Sequence, residues 1–169
     1  LVVAGGPCCC NPEPMAEFID VFLLGDGEKL DNDLCDTIIE CKDKGLNREE
    51  TLFECSKIDV VYVPAFYSVN YNSDGTVKEY KSNRGVPASV KKRVELDVDS
   101  LPYPLHPIVP SMQVIHDRPS VEVLRGCIRG CRFCQAGFIY RPFRWKHAET
   151  LCNQARELIH NTGYDEISL

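Results

Sequence analysis

The sequence predicts an α/β protein made of pieces of two domains, and three observations carry that expectation. Apolar runs of strand length alternate with stretches of helical period through the front of the chain. A proline-dense stretch, "DSLPYPLHPIVP" (99–110), then breaks the alternation. Beyond it a strand-like run, "SVEVLRG" (120–126), leads into closely spaced cysteines and on into another helix-like stretch.

Each element has its own reason. "LVVAGGP" (1–7) reads as a buried strand ending in a glycine pair, and "VFLLG" (21–25) as a second one. "DGE" follows, and then Leu30, Leu34, Ile38 and Cys41 recur every three or four residues, giving one apolar helix face between Glu28 and Lys44. Asp26 has two readings here: the N-cap of that helix, or, with Gly27 and Glu28, a cofactor contact at a strand end. Strand, short helix, strand, helix is the grammar of a parallel sheet. A second short helix is expected over Arg48 to Cys55, followed by the strand "VVYVPAFY" (60–67). In "YNSDGTVKEY" (71–80), Asp74-Gly75 marks a hairpin turn, because glycine accepts the positive φ the turn demands.

Pro102, Pro104, Pro107 and Pro110 continue neither a helix nor a central strand, so the domain boundary is expected there. "MQVIHD" (112–117) and "SVEVLRG" then read as strands. Leu151, Ala155, Leu158 and Ile159 form a helical stripe, Gly163 ends it, and a new strand begins at Glu166. The cysteines therefore fall in a loop at the carboxyl end of a strand, where α/β folds build their sites. A chain that starts inside one strand and stops inside another reads as a fragment.

Composition narrows the class. The formal net charge of −6 argues against a general polyanion binder. The tail differs: Arg125, Arg129, Arg132, Arg141, Arg144 and Lys146 follow one another with no acid between them. That run is either a solvated loop or a patch for an anionic group. Nothing marks export or a membrane span, and ten cysteines in a chain of this kind fit a reducing cytoplasm better than a disulfide scaffold. Cys8, Cys9 and Cys10 are adjacent, so their side chains diverge and buried or incidental thiols are the expectation. His106, His116 and His160 have no partner spacing and read as structural.

The chemistry concentrates in "RGCIRGCRFCQAGF", where Cys127, Cys131 and Cys134 are spaced C-x3-C-x2-C. Structural zinc wants four ligands, in pairs, and only Cys131 and Cys134 have knuckle spacing. The ferredoxin spacings are absent, and a redox dithiol would leave Cys127 idle. Three thiolates on a four-iron cluster leave one iron open, which suits binding a substrate rather than only passing electrons.

With its aromatic Phe133, "CIRGCRFC" resembles the radical S-adenosylmethionine (radical SAM) signature C-x3-C-x-aromatic-C. The resemblance implies that Cys127, Cys131 and Cys134 ligate a 4Fe-4S cluster whose free iron chelates S-adenosylmethionine. Reductive cleavage would then yield methionine and a 5′-deoxyadenosyl radical. Phe133 would pack beside the adenosine, against the plainer reading of loop packing. Gly126 and Gly130 would let the backbone wrap the cluster, and Arg125, Arg129 and Arg132 could offset its charge. A reductant such as a ferredoxin or flavodoxin is implied as partner.

Upstream, "GGP" and "FIDVFLLGDGE" resemble the cobalamin-binding-like domain that precedes the barrel in one branch of these enzymes. "YVPAFY", "LPYPLHPIVP" and "VIHDRPSVEVLRGCIRGCRFCQAGFIYRP" resemble a largely uncharacterised radical SAM group with this layout. The implied architecture is the C-terminal part of a Rossmann-like cobalamin-binding-type domain (1–58), a β-hairpin and proline-rich linker (59–111), and the first βα unit of a partial TIM barrel (112–169). Cobalamin is implied only at domain level, because "GGPCCC" stands where relatives read "GGPH". "RPFRWKHAET" also departs from the expected "RPxRxRS"-like run, so the last helix lacks its serine cap, and His147 reads as a solvated helix end. The substrate is not legible, though RNA or a protein fits the wider group. The competing class is a non-catalytic iron-sulfur or zinc module that binds a partner or nucleic acid. As a fragment, the chain is expected to bind a cluster poorly and to turn over nothing alone.

Overall fold

In the computed structural model, which describes residues 1–112 and 114–169, the chain divides into two units, Leu1–Val94 and Glu95–Leu169. The first unit opens with strand β1 (Val3–Ala4), two 3-10 turns (Pro7–Cys10 and Glu13–Met15) and strand β2 (Val21–Leu23). Helices α1 (Leu30–Asp43) and α2 (Arg48–Cys55) follow, then strand β3 (Val61–Tyr62). The sheet order is β1-β2-β3.

Strand β2 explains its own sequence. Val21, Phe22 and Leu23 are all buried, because Val21 and Leu23 face the helices while Phe22 faces Cys9 and Tyr62 on the other side. Leu30, Leu34 and Cys41 of α1 are buried and Ile38 packs beside them, so the helical period is the packing face. Burying Leu30 completely contributes on the order of 1.5–3 kcal/mol before entropy. Asn47 starts α2 with a reciprocal capping box: its side chain accepts from the Glu50 N–H at 3.0 Å, and its own N–H donates to the Glu50 carboxylate at 2.8 Å.

Two expectations are corrected here. The sheet is mixed: β1 and β2 are parallel, whereas β2 and β3 are antiparallel, pairing Phe22 with Tyr62 and Leu23 with Val61. A single crossover helix returns the chain to the same end of a sheet. Here two helices in succession return it to the opposite end. Asp26 is not the cap of α1, whose N-cap position is Lys29. A parallel bridge instead joins Gly25 to Arg93, with the Asp26 N–H donating to the Arg93 carbonyl at 3.1 Å.

The hairpin forms as expected, with β4 (Tyr67–Tyr71) antiparallel to β5 (Val77–Ser82) and Gly75 at φ +83°. It belongs to the first unit, while the proline-rich stretch belongs to the second.

In the second unit β6 (Leu124–Arg125), the short helix α3 (Ala136–Ile139), β7 (Arg144–Trp145) and α4 (Ala148–Thr162) follow in order. Only the end of "SVEVLRG" is regular strand; upstream, Ser120 forms a parallel bridge with Ser168 beyond α4. The strand expected at "MQVIHD" does not form among its described residues, where Met112 lies in a bend and Ile115 and His116 in a turn; Gln113 lies outside the described residues. α4 packs through Leu158 and Gln154 and stops at Gly163, whose φ of +75° is the left-handed cap expected of it. The fold class is thus α/β, built from small sheets.

Candidate metal centre

The cysteine loop leaves the fold at β6 and returns at β7. These two strands pair antiparallel, Leu124 with Trp145 and Arg125 with Arg144, and so close the loop at its base. Within it, Cys131 to Cys134 is a turn in which the Cys134 N–H donates to the Cys131 carbonyl at 3.1 Å, and α3 follows at once. Cys127 and Cys134 are half-buried and Cys131 is exposed, and all three are free thiols.

Two glycines let the loop fold on itself. Gly126 has φ +89°, and a Cβ there would stand 2.7 Å from the Tyr140 carbonyl oxygen and 2.8 Å from that of Pro142. Only glycine fits so close a backbone. Gly137 in α3 is buried, and a Cβ on it would lie 3.2 Å from the Arg129 carbonyl, between the first two cysteines. Gly130, read as a wrapping glycine, has nothing within 4 Å of its Cβ position. Gly137 was missed, because a glycine inside a short helix carries no turn signature.

The basic run is not one patch. The Arg125 guanidinium donates to both Glu122 carboxylate oxygens, at 2.8 and 2.9 Å. Arg144 and Lys146 are buried: Arg144 donates to three backbone carbonyls, while the Lys146 ammonium donates to Gln154 Oε1 at 3.1 Å and stands 4.1 Å from the Tyr103 ring centre. Exposed charge on the loop is left to Arg129, Arg132 and Arg141, the last lying over Phe138. Apolar side chains share this face, with Phe133 93%, Ile128 78% and Phe138 64% exposed.

The missing serine cap of α4 is replaced from far along the chain. Asp99 accepts from the His147 N–H at 2.9 Å and also pairs with the His147 Nδ1. The hydrogen bond to His147 holds the Asp99 carboxyl below the usual carboxylate range, and the same bond raises the His147 imidazole. No local pattern could have announced a partner 48 residues away.

Among the described residues no three His, Cys, Asp or Glu side chains come together as a metal site. By donor type, three free thiols on one loop suit an iron-sulfur cluster, which takes one thiolate at each of separate irons. Cobalamin finds no such fit at the end of β2, where the Arg93 backbone fills the edge: a Cβ on Gly25 would lie 2.1 Å from the Arg93 carbonyl oxygen. Cys9 is buried beneath β2 and β3 and burial raises its thiol, whereas Cys8 and Cys10 are exposed. Among the described residues no helix is long and apolar enough to cross a membrane.

Residues 1–64 match the family model for the N-terminal region of radical SAM proteins. An uncharacterized protein of Methanocaldococcus jannaschii is 28% identical over 170 aligned positions, which cover 100% of this chain but 31% of that protein. No solved structure matches. The matched model ends before the cysteine loop, so the loop's spacing and the family match are separate observations. The N-terminal part of the chain is thus similar to radical SAM proteins.

Proposed function

We propose that the chain carries the cluster-binding start of a radical SAM enzyme, with Cys127, Cys131 and Cys134 as the ligands of a 4Fe-4S cluster. The observation that carries this reading is a loop with three free thiols and no fourth, folded on glycine contacts and closed at its base. When bound, such a cluster supplies the electron that cleaves S-adenosylmethionine to a 5′-deoxyadenosyl radical. The chain's own part is to hold three thiolates and leave one coordination position open. Phe133, exposed in the loop beside Cys134, offers a face for the adenosine. The parallel bridge between Ser120, ahead of the cysteine loop, and Ser168, beyond α4, supports a barrel beginning in the second unit.

The whole protein's activity then requires an external one-electron donor such as a ferredoxin or flavodoxin. RNA or a protein is among the options for its substrate. The reading takes no step through cobalamin, and a reducing cytoplasm is the compartment that suits it.

Anaerobic reconstitution of the full-length protein, followed by iron, sulfide and zinc analysis, tests the ligand set. About four irons per chain that disappear in the Cys127→Ala/Cys131→Ala/Cys134→Ala variant are expected. Stoichiometric zinc, or iron retained by the triple variant, would replace this reading with a binding module.

A further inference from the structure

Arg144 was one basic residue among several in the sequence, and the structure separates it from the rest. It is buried, at 5% exposure, in the strand that closes the cysteine loop. Its Nε donates to the Pro142 carbonyl at 3.0 Å, its Nη2 to the Tyr140 carbonyl at 3.3 Å, and its Nη1 to the Glu95 carbonyl at 2.8 Å. The Tyr140 and Pro142 carbonyl oxygens are the two atoms nearest a Cβ placed on Gly126, with Phe143 Cα third. Gly126 immediately precedes Cys127, while Tyr140 ends α3, the helix that begins just after Cys134. One guanidinium therefore holds the surface that fixes the first cysteine and the end of the helix that follows the last.

We infer that Arg144 is a positioning residue for the cysteine triad: it clamps the end of α3 against Gly126 and so sets where Cys127 stands relative to Cys134. The inference rests on the cluster reading for its purpose, not for its geometry. The planar fork of arginine spans three carbonyls, and the ammonium of lysine, with the same charge, does not. Tyr103 supports the same base from the linker, accepting the Glu122 N–H at 3.3 Å and donating to the Ser120 carbonyl at 2.7 Å. The loop is thus held by backbone carbonyls and polar side chains, which leaves its apolar side chains facing outward.

The test is amide hydrogen exchange on the metal-free full-length protein, comparing wild type with Arg144→Lys. The amides of Cys134, Ile139 and Tyr140, which donate within the turn and α3, should exchange about tenfold faster in the variant, the worth of one lost charge-assisted hydrogen bond. Amides of α4 and α1 should stay within about twofold. Should Arg144→Lys fail to fold, Gly126→Ala presses on the same carbonyls from the other side and should give the same local pattern. Unchanged loop exchange, or a uniform rise across the chain, would overturn the clamp.

Reconstituted protein gives the second readout. Arg144→Lys should lose iron to a chelator about fivefold faster and shift the cluster's reduction potential, since geometry and hydrogen bonding around the thiolates set both. Selective exchange with wild-type retention and potential would overturn the positioning role. Failure of the wild-type protein to take up iron would overturn the cluster reading instead, and the exchange pattern would then decide the clamp by itself.

Discussion

The helical layer around Leu30 and the cysteine loop are both short stretches of chain, and they are ordered by opposite means. In the first, Leu30, Leu34, Leu52 and Cys55 are buried against Val21, Leu23 and Val61, and the polar atoms face out. In the loop the backbone and the charged groups turn inward, through Gly126, Gly137, Arg144 and Lys146, while Phe133, Ile128 and Phe138 face out. An apolar core tolerates reshaping among side chains of similar volume. A loop set by carbonyls and a guanidinium has no such latitude, and it leaves exposed the side chains that a cofactor or the rest of a protein can cover.

The contrast breaks most visibly at Leu30. Replacing Leu30 by Ala should cost about 2–5 kcal/mol in urea denaturation of the first unit, through lost burial and a cavity. A smaller loss would mean that the helices are held by something other than that core.

The glycines sharpen the other side. Gly126→Ala puts a side chain at φ +89° and into two carbonyls, so about 1–3 kcal/mol of strain is expected in thermal unfolding of the second unit. Gly130→Ala, with open space around it, should stay within about 0.5 kcal/mol of wild type. Equal effects at the two positions would dissolve the distinction between them.

The Asp99–His147 pair gives a pH-dependent prediction. Because His147 is raised in the folded chain, its contribution is full below the ordinary histidine range and fades as pH rises through the raised value. Asp99 is lowered, so its contribution is full above the ordinary carboxylate range and fades as pH falls through the lowered value. The link is therefore strongest between those two ranges. In Asp99→Asn the His147 titration, followed by NMR, should move down toward the ordinary imidazole value. No movement would show that the pair does not form in solution.

Phe133→Ala has the smallest expected effect on folding, within about 0.5 kcal/mol, because the ring is almost fully exposed. A large loss of stability there would mean that Phe133 packs within the loop rather than awaiting a ligand.

How far the fold was legible follows the same division. The bounds Arg48–Cys55, the face of α1, the Asp74-Gly75 turn and the Gly163 stop were all readable, because apolar period and turn chemistry are local signals. The antiparallel return of β3 was not, since two helices in place of one reverse the strand without changing any strand's own pattern. At the site, the three thiols and their place between strand and helix were legible from spacing. The roles of Arg144, Lys146, Gly137 and Asp99 were not. Each depends on a partner brought near only by the fold, and Arg144 read as surface charge because sequence gives an arginine's charge but not its burial.

The most direct measurement is electron paramagnetic resonance of the reduced, reconstituted full-length protein with and without S-adenosylmethionine. A four-iron signal that requires Cys127, Cys131 and Cys134, and whose g-values shift when S-adenosylmethionine is added, is the predicted result. A spectrum indifferent to S-adenosylmethionine would contradict an open iron at this loop.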